Sequence, residues 1–92
     1  MSAFLIAQHD VGDPAAFQEW RAKVIPIIER RGGRFVVRSN QVQVLEGDLR
    51  ASDVVIIEFP DMATLNATRA ELREHSDLRR RAARSVLLVY QI

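Results

Sequence analysis

Three segments of the chain are apolar over consecutive positions, and each predicts a β-strand that is covered on both faces. They are residues 4–7, 54–57 and 86–90. Successive side chains of a strand point to opposite faces, so such strands need apolar partners on both sides. A chain of 92 residues has material for about two helices, which cover one face of one sheet. A second copy of the chain is the simplest cover for the other face.

The first predicted strand, residues 3–9, is followed by the pattern of an amphipathic helix. Asp13 is suited to cap the helix and Pro14 to occupy its first position. Gly32 and Gly33 predict its end in a left-handed cap. The apolar positions between these signals recur at helical spacing: Phe17, Trp20, Val24, Ile27 and Ile28.

Residues 34–46 alternate between apolar and polar side chains and predict a β-hairpin. With a two-residue turn in the middle, Phe35 lies opposite Val44 and Val37 lies opposite Val42. One face of the hairpin is then apolar and the other is polar, which is typical of a strand pair with one solvated face.

The second half of the chain repeats the strand–helix–strand order. A strand ends near residue 60, and Asp61 caps a helix whose apolar positions are Met62, Leu65 and Leu72. Ser76 begins a further short helical turn, and the last strand covers residues 85–91. The order β-α-β-β-α-β predicts one ferredoxin-like α+β domain over residues 1–92, with an antiparallel sheet and helices on one face. Two such sheets packed face to face form a dimeric α+β barrel.

Composition narrows the function classes. The chain has no cysteine, which excludes disulfides and thiolate chemistry, and its net charge of +1 gives no strong attraction for nucleic acid. The N-terminal segment lacks the pattern of a signal peptide, and no apolar run approaches the ~20 residues that cross a bilayer. We therefore expect a cytoplasmic protein without a nucleic-acid or membrane partner.

Two carboxylates at predicted strand ends, Glu46 and Glu58, are candidate site residues. A carboxylate at the rim of an apolar pocket has its pKa raised by desolvation, which suits a general base. The alternative is an ion pair with an arginine such as Arg34 or Arg38.

The only imidazoles are His9 and His75. Histidines on different elements can form an acid–base pair or a metal site, but no His-x-x-x-His spacing is present. Structural or surface roles are the alternative for both. Together with Glu58, His9 is our candidate for a catalytic group, and we predict no metal site.

Aromatic and cationic side chains suggest how a ligand would be held. Trp20 could form the wall of a flat ligand site, although core packing is the alternative. Arg34 and Arg38 share a face of the predicted hairpin and could clamp a carboxylate or phosphate; the alternative is a solvated face or interface ion pairing. The basic run 79–81 suggests either anion or nucleic-acid binding, or a helix end whose dipole is complemented by arginines.

Several short segments resemble a known family when their order and spacing are taken together. They are Asp13-Pro14, Trp20-Arg21, Pro26, Gly32-Gly33-Arg34-Phe35, Leu45-Glu46-Gly47 and Ile57-Glu58-Phe59-Pro60. As a set they resemble bacterial domain-of-unknown-function family 1330, which is similar to the dimeric α/β-barrel superfamily. The resemblance implies a ferredoxin-like fold, and relatives in the superfamily include cofactor-free monooxygenases, isomerases and decarboxylating enzymes. Aromatic residues that the family usually carries in its second helix are absent from residues 66–75.

Two hypotheses of function follow. The first is a homodimer that binds or transforms a small organic molecule between sheet and helices, without a tightly bound cofactor. Its site would be built from Glu58, His9, Trp20, Arg34, Arg38 and Glu46. The second is a non-catalytic dimeric module for ligand sensing, structure or interaction.

Overall fold

A computed structural model describes residues 1–48 and 50–92 of the chain. The strands are β1 (Ala3–Val11), β2 (Arg34–Ser39), β3 (Asp53–Phe59) and β4 (Ala83–Gln91). The helices are α1 (Pro14–Arg30), α2 (Met62–Leu72) and α3 (Ser76–Ala82), with a 3₁₀ turn, Arg73–His75, between α2 and α3. The strands form one antiparallel sheet in the order β2-β3-β1-β4. The ferredoxin-like α+β fold is thus confirmed. No helix in the described residues is both long and apolar enough to cross a membrane.

Both longer helices begin at the predicted aspartates. The side chain of Asp13 accepts a hydrogen bond of 3.1 Å from the backbone N–H of Ala16, and Pro14 follows at the first position of α1. Asp61 accepts a bond of 2.7 Å from the N–H of Thr64 at the start of α2. These contacts satisfy backbone donors that have no partner within the helix.

α1 runs through Pro26 and ends in the predicted glycine cap. The N–H of Gly32 donates to the carbonyl of Glu29 at 3.1 Å, and the N–H of Gly33 donates to the carbonyl of Ile28 at 2.9 Å. Gly32 has a φ of +93°, in the left-handed region that glycine adopts without a steric penalty. This pair of bonds is the Schellman motif, and it turns the chain from α1 into β2.

The predicted hairpin over residues 34–46 is wrong. β2 pairs with β3 instead, and residues 41–45 belong to no strand. In the observed register Phe35 lies opposite Ile57, and Val37 lies opposite Ile56. Consecutive apolar residues of β3 offer β2 an apolar partner on both faces, which the alternating segment 41–45 does not.

A β-bulge interrupts β2. The pairing with β3 shifts between Phe35 and Val37, so that Val36 has no residue opposite it. Because one extra residue reverses the alternation of side chains along a strand, Arg34 and Arg38 lie on opposite faces of the sheet. The prediction that these two arginines share a face is therefore wrong.

The core lies between the helices and one face of the sheet. Its main cluster of buried residues comes from β1, β3, α1 and α2: Ala3, Leu5, Val24, Ile28, Ile57, Phe59 and Leu65. A second cluster joins Phe17 of α1 to Ala82 and Ala83, where α3 passes into β4. The helices thus cover the face that carries the odd-numbered residues of β1 and β3.

The other face of the sheet, called the open face below, has no helix packed on it. It is defined by even-numbered apolar residues of β1, β3 and β4: Phe4, Ile6, Val54, Ile56, Leu88 and Tyr90. The rings of Phe4 and Tyr90 stack with centroids 4.8 Å apart. Leu88 nevertheless remains 45% exposed and Tyr90 39%. The double-sided apolar pattern therefore has cover on one side only within the described chain.

Candidate functional site

A cavity of about 680 Å³ lies between the helix-covered face of the sheet and the helices. Leu5, Ala7 and Val55 line it from the sheet, and Trp20 and Val24 line it from α1. Ligand sites for small organic molecules have volumes of roughly 300–1,000 Å³ and mostly apolar linings with a few polar groups. The cavity therefore has the size and the apolar surface of a small-molecule site.

His9 is the buried polar group of this cavity. It lies near the end of β1, on the helix-covered face, and only 1% of its surface is exposed. The sheet register places Asp53 of β3 and Ser85 of β4 directly beside it. Its Nδ1 shares a hydrogen bond of 2.7 Å with Oγ of Ser85, whereas Nε2 makes no hydrogen bond to any described residue.

Two aromatic rings of α1 hold the His9 ring in place. The centroid of Phe17 lies 5.1 Å from that of His9, and the centroid of Trp20 lies 5.4 Å from it, both in edge-to-face geometry. Together with the bond to Ser85, these contacts fix the plane of the imidazole. A ring held in this way presents its remaining nitrogen in one direction, as a ligand site requires.

The pKa of His9 is lowered from 6.5 to about 4, chiefly because the ring is buried. The positive charges of Arg79 and, to a smaller extent, Arg21 contribute to this lowering, while the Asp53 carboxylate acts in the opposite direction. The imidazole is therefore neutral at physiological pH. A neutral ring whose Nδ1 is held by Ser85 can exchange a hydrogen bond or a proton through Nε2.

The lining of the cavity is strongly cationic. It includes six arginines, called the arginine rim below: Arg21, Arg38, Arg69, Arg73, Arg79 and Arg80. Asp53 is the one carboxylate that the described residues contribute to the same lining. Two rim arginines lie over aromatic rings, Arg21 at 5.9 Å from the centroid of Phe17 and Arg38 at 5.1 Å from that of Phe35.

Glu58 lies outside this cavity. It is paired across the strands with Arg34 on the open face, and the two side chains form an ion pair. The hydrogen bond from Arg34 lowers the pKa of the carboxyl, with a smaller effect from Ser2. The predicted rise of the Glu58 pKa is therefore wrong, and the alternative ion pair with Arg34 is confirmed.

Glu46 is exposed, and it is not part of the cavity lining. It was expected on the apolar face of a strand, but residue 46 lies in a bend of the loop between β2 and β3. Of the predicted site residues, the cavity thus brings together His9, Trp20 and Arg38. Glu46, Glu58 and Arg34 lie elsewhere, and His75 pairs with Glu74 at 3.4 Å outside the cavity lining.

Sequence reasoning missed Ser85, Asp53 and most of the arginine rim. The basic run 79–81 is visible in the sequence, but its proximity to Arg69 and Arg73 depends on how α2, the 3₁₀ turn and α3 follow one another around the cavity. Ser85 and Asp53 lie beside His9 through the strand register alone. Within the described residues, no group of three His, Asp or Glu side chains is arranged to hold a metal ion.

Comparison with known families confirms the family resemblance found in the sequence. The family described as Domain of unknown function (DUF1330) matches residues 2–91. The chain belongs to this family. The match includes residues 66–75, which lack the aromatic residues that the family usually carries there, and so covers the helices that carry the arginine rim. A search of curated proteins gave no match for this DUF1330 protein.

Solved structures with the same fold include proteins with and without a stated activity. RPA0582 of Rhodopseudomonas palustris, of unknown function, is 21% identical with a TM-score of 0.76, covering 99% of this chain and 82% of that one. SnoaB of Streptomyces nogalater, a cofactor-independent oxygenase, is 19% identical with a TM-score of 0.67, covering 99% and 92%. A dimeric ferredoxin-like protein of unknown function from Jannaschia sp. is 9% identical with a TM-score of 0.68, covering 100% of both chains. At these identities the likeness shows the fold alone.

Proposed function

We propose that this DUF1330 protein binds a small organic molecule in the cavity between sheet and helices, without a tightly bound cofactor. The observation that carries the proposal is His9: a buried, neutral imidazole in the cavity lining, with Nδ1 engaged by Ser85 and Nε2 without a partner among the described residues. A ligand that forms a hydrogen bond with Nε2 would engage the ring nitrogen that the described residues leave without a partner.

His9 is the group through which binding would extend to chemistry. A neutral imidazole can take a proton from a bound molecule, and its lowered pKa makes it a weaker base than an exposed histidine. Trp20 would form the wall for a flat ligand, and Arg38 would lie at its entrance. The existence of a cofactor-independent oxygenase with this fold, SnoaB, supports a ligand that reacts without a bound cofactor.

The same proposal includes a homodimer formed through the open face. Contiguous exposed apolar surface on a soluble protein marks an interaction site. The open face carries aliphatic and aromatic side chains on three neighbouring strands, and the Arg34–Glu58 ion pair lies beyond them on β2 and β3. The dimeric protein from Jannaschia sp., which has the same fold, supports a second copy as the cover.

The cavity can be tested directly because Trp20 is the only tryptophan of the chain. We expect aromatic and other small organic compounds to change the tryptophan fluorescence of the wild type in a saturable way. Ala7→Leu adds bulk to the cavity floor and should weaken this binding at least about tenfold. Ala67→Leu makes the same change at an exposed position of α2 outside the cavity and should leave binding unchanged.

The outcome distinguishes the two hypotheses of function. Saturable binding that Ala7→Leu weakens and Ala67→Leu preserves supports a ligand site in the cavity. A compound library that changes neither the fluorescence nor the melting temperature would contradict the proposal and favour a structural or interaction module.

A further inference from the structure

Resting on the proposed function, we infer that the ligand of the cavity is an organic anion: a flat, largely apolar body that carries a carboxylate. The inference comes from the arginine rim above an apolar floor. Neither feature alone defines the ligand. Together they describe a molecule whose one end is apolar and whose other end is negatively charged.

The rim is assembled from five elements around the cavity. Arg21 comes from α1, Arg38 from β2, Arg69 from α2, Arg73 from the 3₁₀ turn, and Arg79 and Arg80 from α3. Against these six arginines, the described residues contribute one carboxylate to the cavity lining, that of Asp53, which lies beside His9 in the sheet register. The cavity therefore has an excess of positive charge that its own lining does not balance.

Ion pairs with other parts of the chain do not remove this excess. Among the described residues, Arg80 has a partner in Asp77 at 3.4 Å, an exposed contact within α3. Arg69, Arg73 and Arg79 form no ion pair with a described residue. By contrast, Arg30 and Arg31 at the end of α1, outside the cavity, both pair with Glu71. Two arginines outside the cavity are thus paired with a carboxylate, whereas five of the six rim arginines form no ion pair with a described residue.

Holding these arginines together is unfavourable for the empty protein. Arg69 and Arg73 are four residues apart, and like charges at this spacing destabilise a helix. Arg79 is half-buried, and burial together with the charges of Arg80 and Arg69 lowers its pKa. A bound anion would reverse both effects, since it supplies the missing charge at a site partly shielded from water.

The arginine rim is better suited to a carboxylate than to a larger polyanion. The planar fork of arginine binds a carboxylate through two hydrogen bonds, and arginines on several sides of a cavity can enclose one such group. The arginines lie around a concave site with an apolar floor, whereas nucleic acid is bound along extended basic grooves. The ligand's apolar body would lie on Trp20, Leu5 and Val55, and its carboxylate would face the rim.

The test uses matched pairs of ligands that differ only in charge. The probes are benzoate, 2-naphthoate and anthracene-9-carboxylate, each with its primary amide, measured by titration calorimetry against the full chain. We expect at least one carboxylate to bind about tenfold or more tightly than its amide, because hydrogen bonds between charged groups are stronger than neutral ones. Inorganic phosphate alone should bind more weakly than that carboxylate, because it has no apolar body.

Substitutions of single arginines then show whether the arginine rim causes the preference for the carboxylate over the amide. Arg79→Gln and Arg73→Gln should each lose most of the preference for the carboxylate. Arg81→Gln, in the same helix as Arg79 but outside the cavity lining, should keep it. Circular dichroism verifies that the variants are folded.

The results separate this inference from the proposed function. If carboxylates and amides bind equally, the cavity takes small molecules but the anion inference is overturned. It is also overturned if no carboxylate binds, if phosphate binds as tightly as the best carboxylate, or if Arg81→Gln loses the preference as much as Arg79→Gln does. Failure of the proposed function would show differently, as the absence of any cavity ligand in the library test.

Discussion

At the scale of single residues, His9 has the most unusual environment. It lies beside Asp53 and Ser85 in the sheet, and it is almost fully buried without a charged partner in hydrogen-bond contact. Burial without such a partner favours the neutral imidazole, because the cation would lose its hydration. His9 is thus both a structural part of the core and the polar group of the cavity.

His9 makes stability depend on pH. Its folded-state pKa of about 4 lies below the ordinary value of 6.5, so between these pH values the unfolded chain binds more protons than the folded one. The free energy of unfolding should therefore rise with pH across this window by about 3 kcal/mol in total. Above pH 6.5 the contribution of His9 is fully present. Urea denaturation at a series of pH values measures it.

Above pH 4.5, the change of stability with pH can be assigned to His9. Three carboxylates with lowered pKa values, Glu58, Asp61 and Glu71, contribute stability that is lost only as the pH falls below their ordinary values of 4.5 or 3.8. His9→Gln should abolish the slope, whereas His75→Gln should keep it and leave a single imidazole for an NMR titration. A wild type with equal stability at pH 6.5 and 4.5 would contradict the assignment.

At the scale of elements, the end of α1 determines how the sheet and helices meet. The Schellman motif turns the chain so that Gly33 approaches Ile28 of α1 and Phe59 of β3. A Cβ atom at Gly33 would lie 2.6 Å from Cγ2 of Ile28, 3.0 Å from its carbonyl oxygen and 3.0 Å from Cε1 of Phe59. The backbone contact cannot be relieved by a change of rotamer.

Gly33→Ala should therefore reduce the free energy of unfolding by about 1–3 kcal/mol, the usual effect of overpacking. Gly12→Ala is the matched control, since a Cβ there would meet only the carbonyl oxygen of Ala82 at 3.9 Å. We expect this control to be neutral or slightly stabilising. Urea denaturation compares the two variants, and equal midpoints would show that the approach at Gly33 is not close in solution.

The same scale shows why part of the sequence interpretation failed. Residues 34–46 have the alternation of a hairpin, and nothing local in them reveals that β3 is the better partner for β2. The bulge at Val36 also leaves no signal in the sequence, yet it decides that Arg38 faces the cavity and Arg34 the open face. Strand pairing and bulges depend on residues distant along the chain, which local patterns do not contain.

At the scale of the whole molecule, the open face is the feature that a single copy leaves incomplete. Val55 and Ile56 are adjacent in β3 but face opposite ways, Val55 into the cavity and Ile56 onto the open face. A charge at position 56 therefore tests the open face without being placed in the cavity.

Ile56→Asp should convert the proposed dimer into a monomer, because it would bury an unpaired carboxylate between two apolar faces. Sedimentation equilibrium gives the mass, and circular dichroism shows whether the fold persists. Ala63→Asp, an exposed substitution near the start of α2, should remain dimeric. A monomeric wild type, or an Ile56→Asp variant with the mass of a dimer, would contradict the interface.

The sequence predicts only part of how the two faces of the sheet are used. Consecutive apolar strands, aspartate caps and the glycine pair determined the element order and the ferredoxin-like fold, because these signals act over a few residues and repeat at fixed periods. The tertiary structure alone decided that His9, Ser85 and Asp53 lie side by side, that Glu58 pairs with Arg34 outside the cavity, and that arginines from five elements surround it. The physical reason is that strand register and the packing of helices on a sheet bring together residues that are far apart in the chain. A local sequence pattern does not contain the information about which of these distant residues meet.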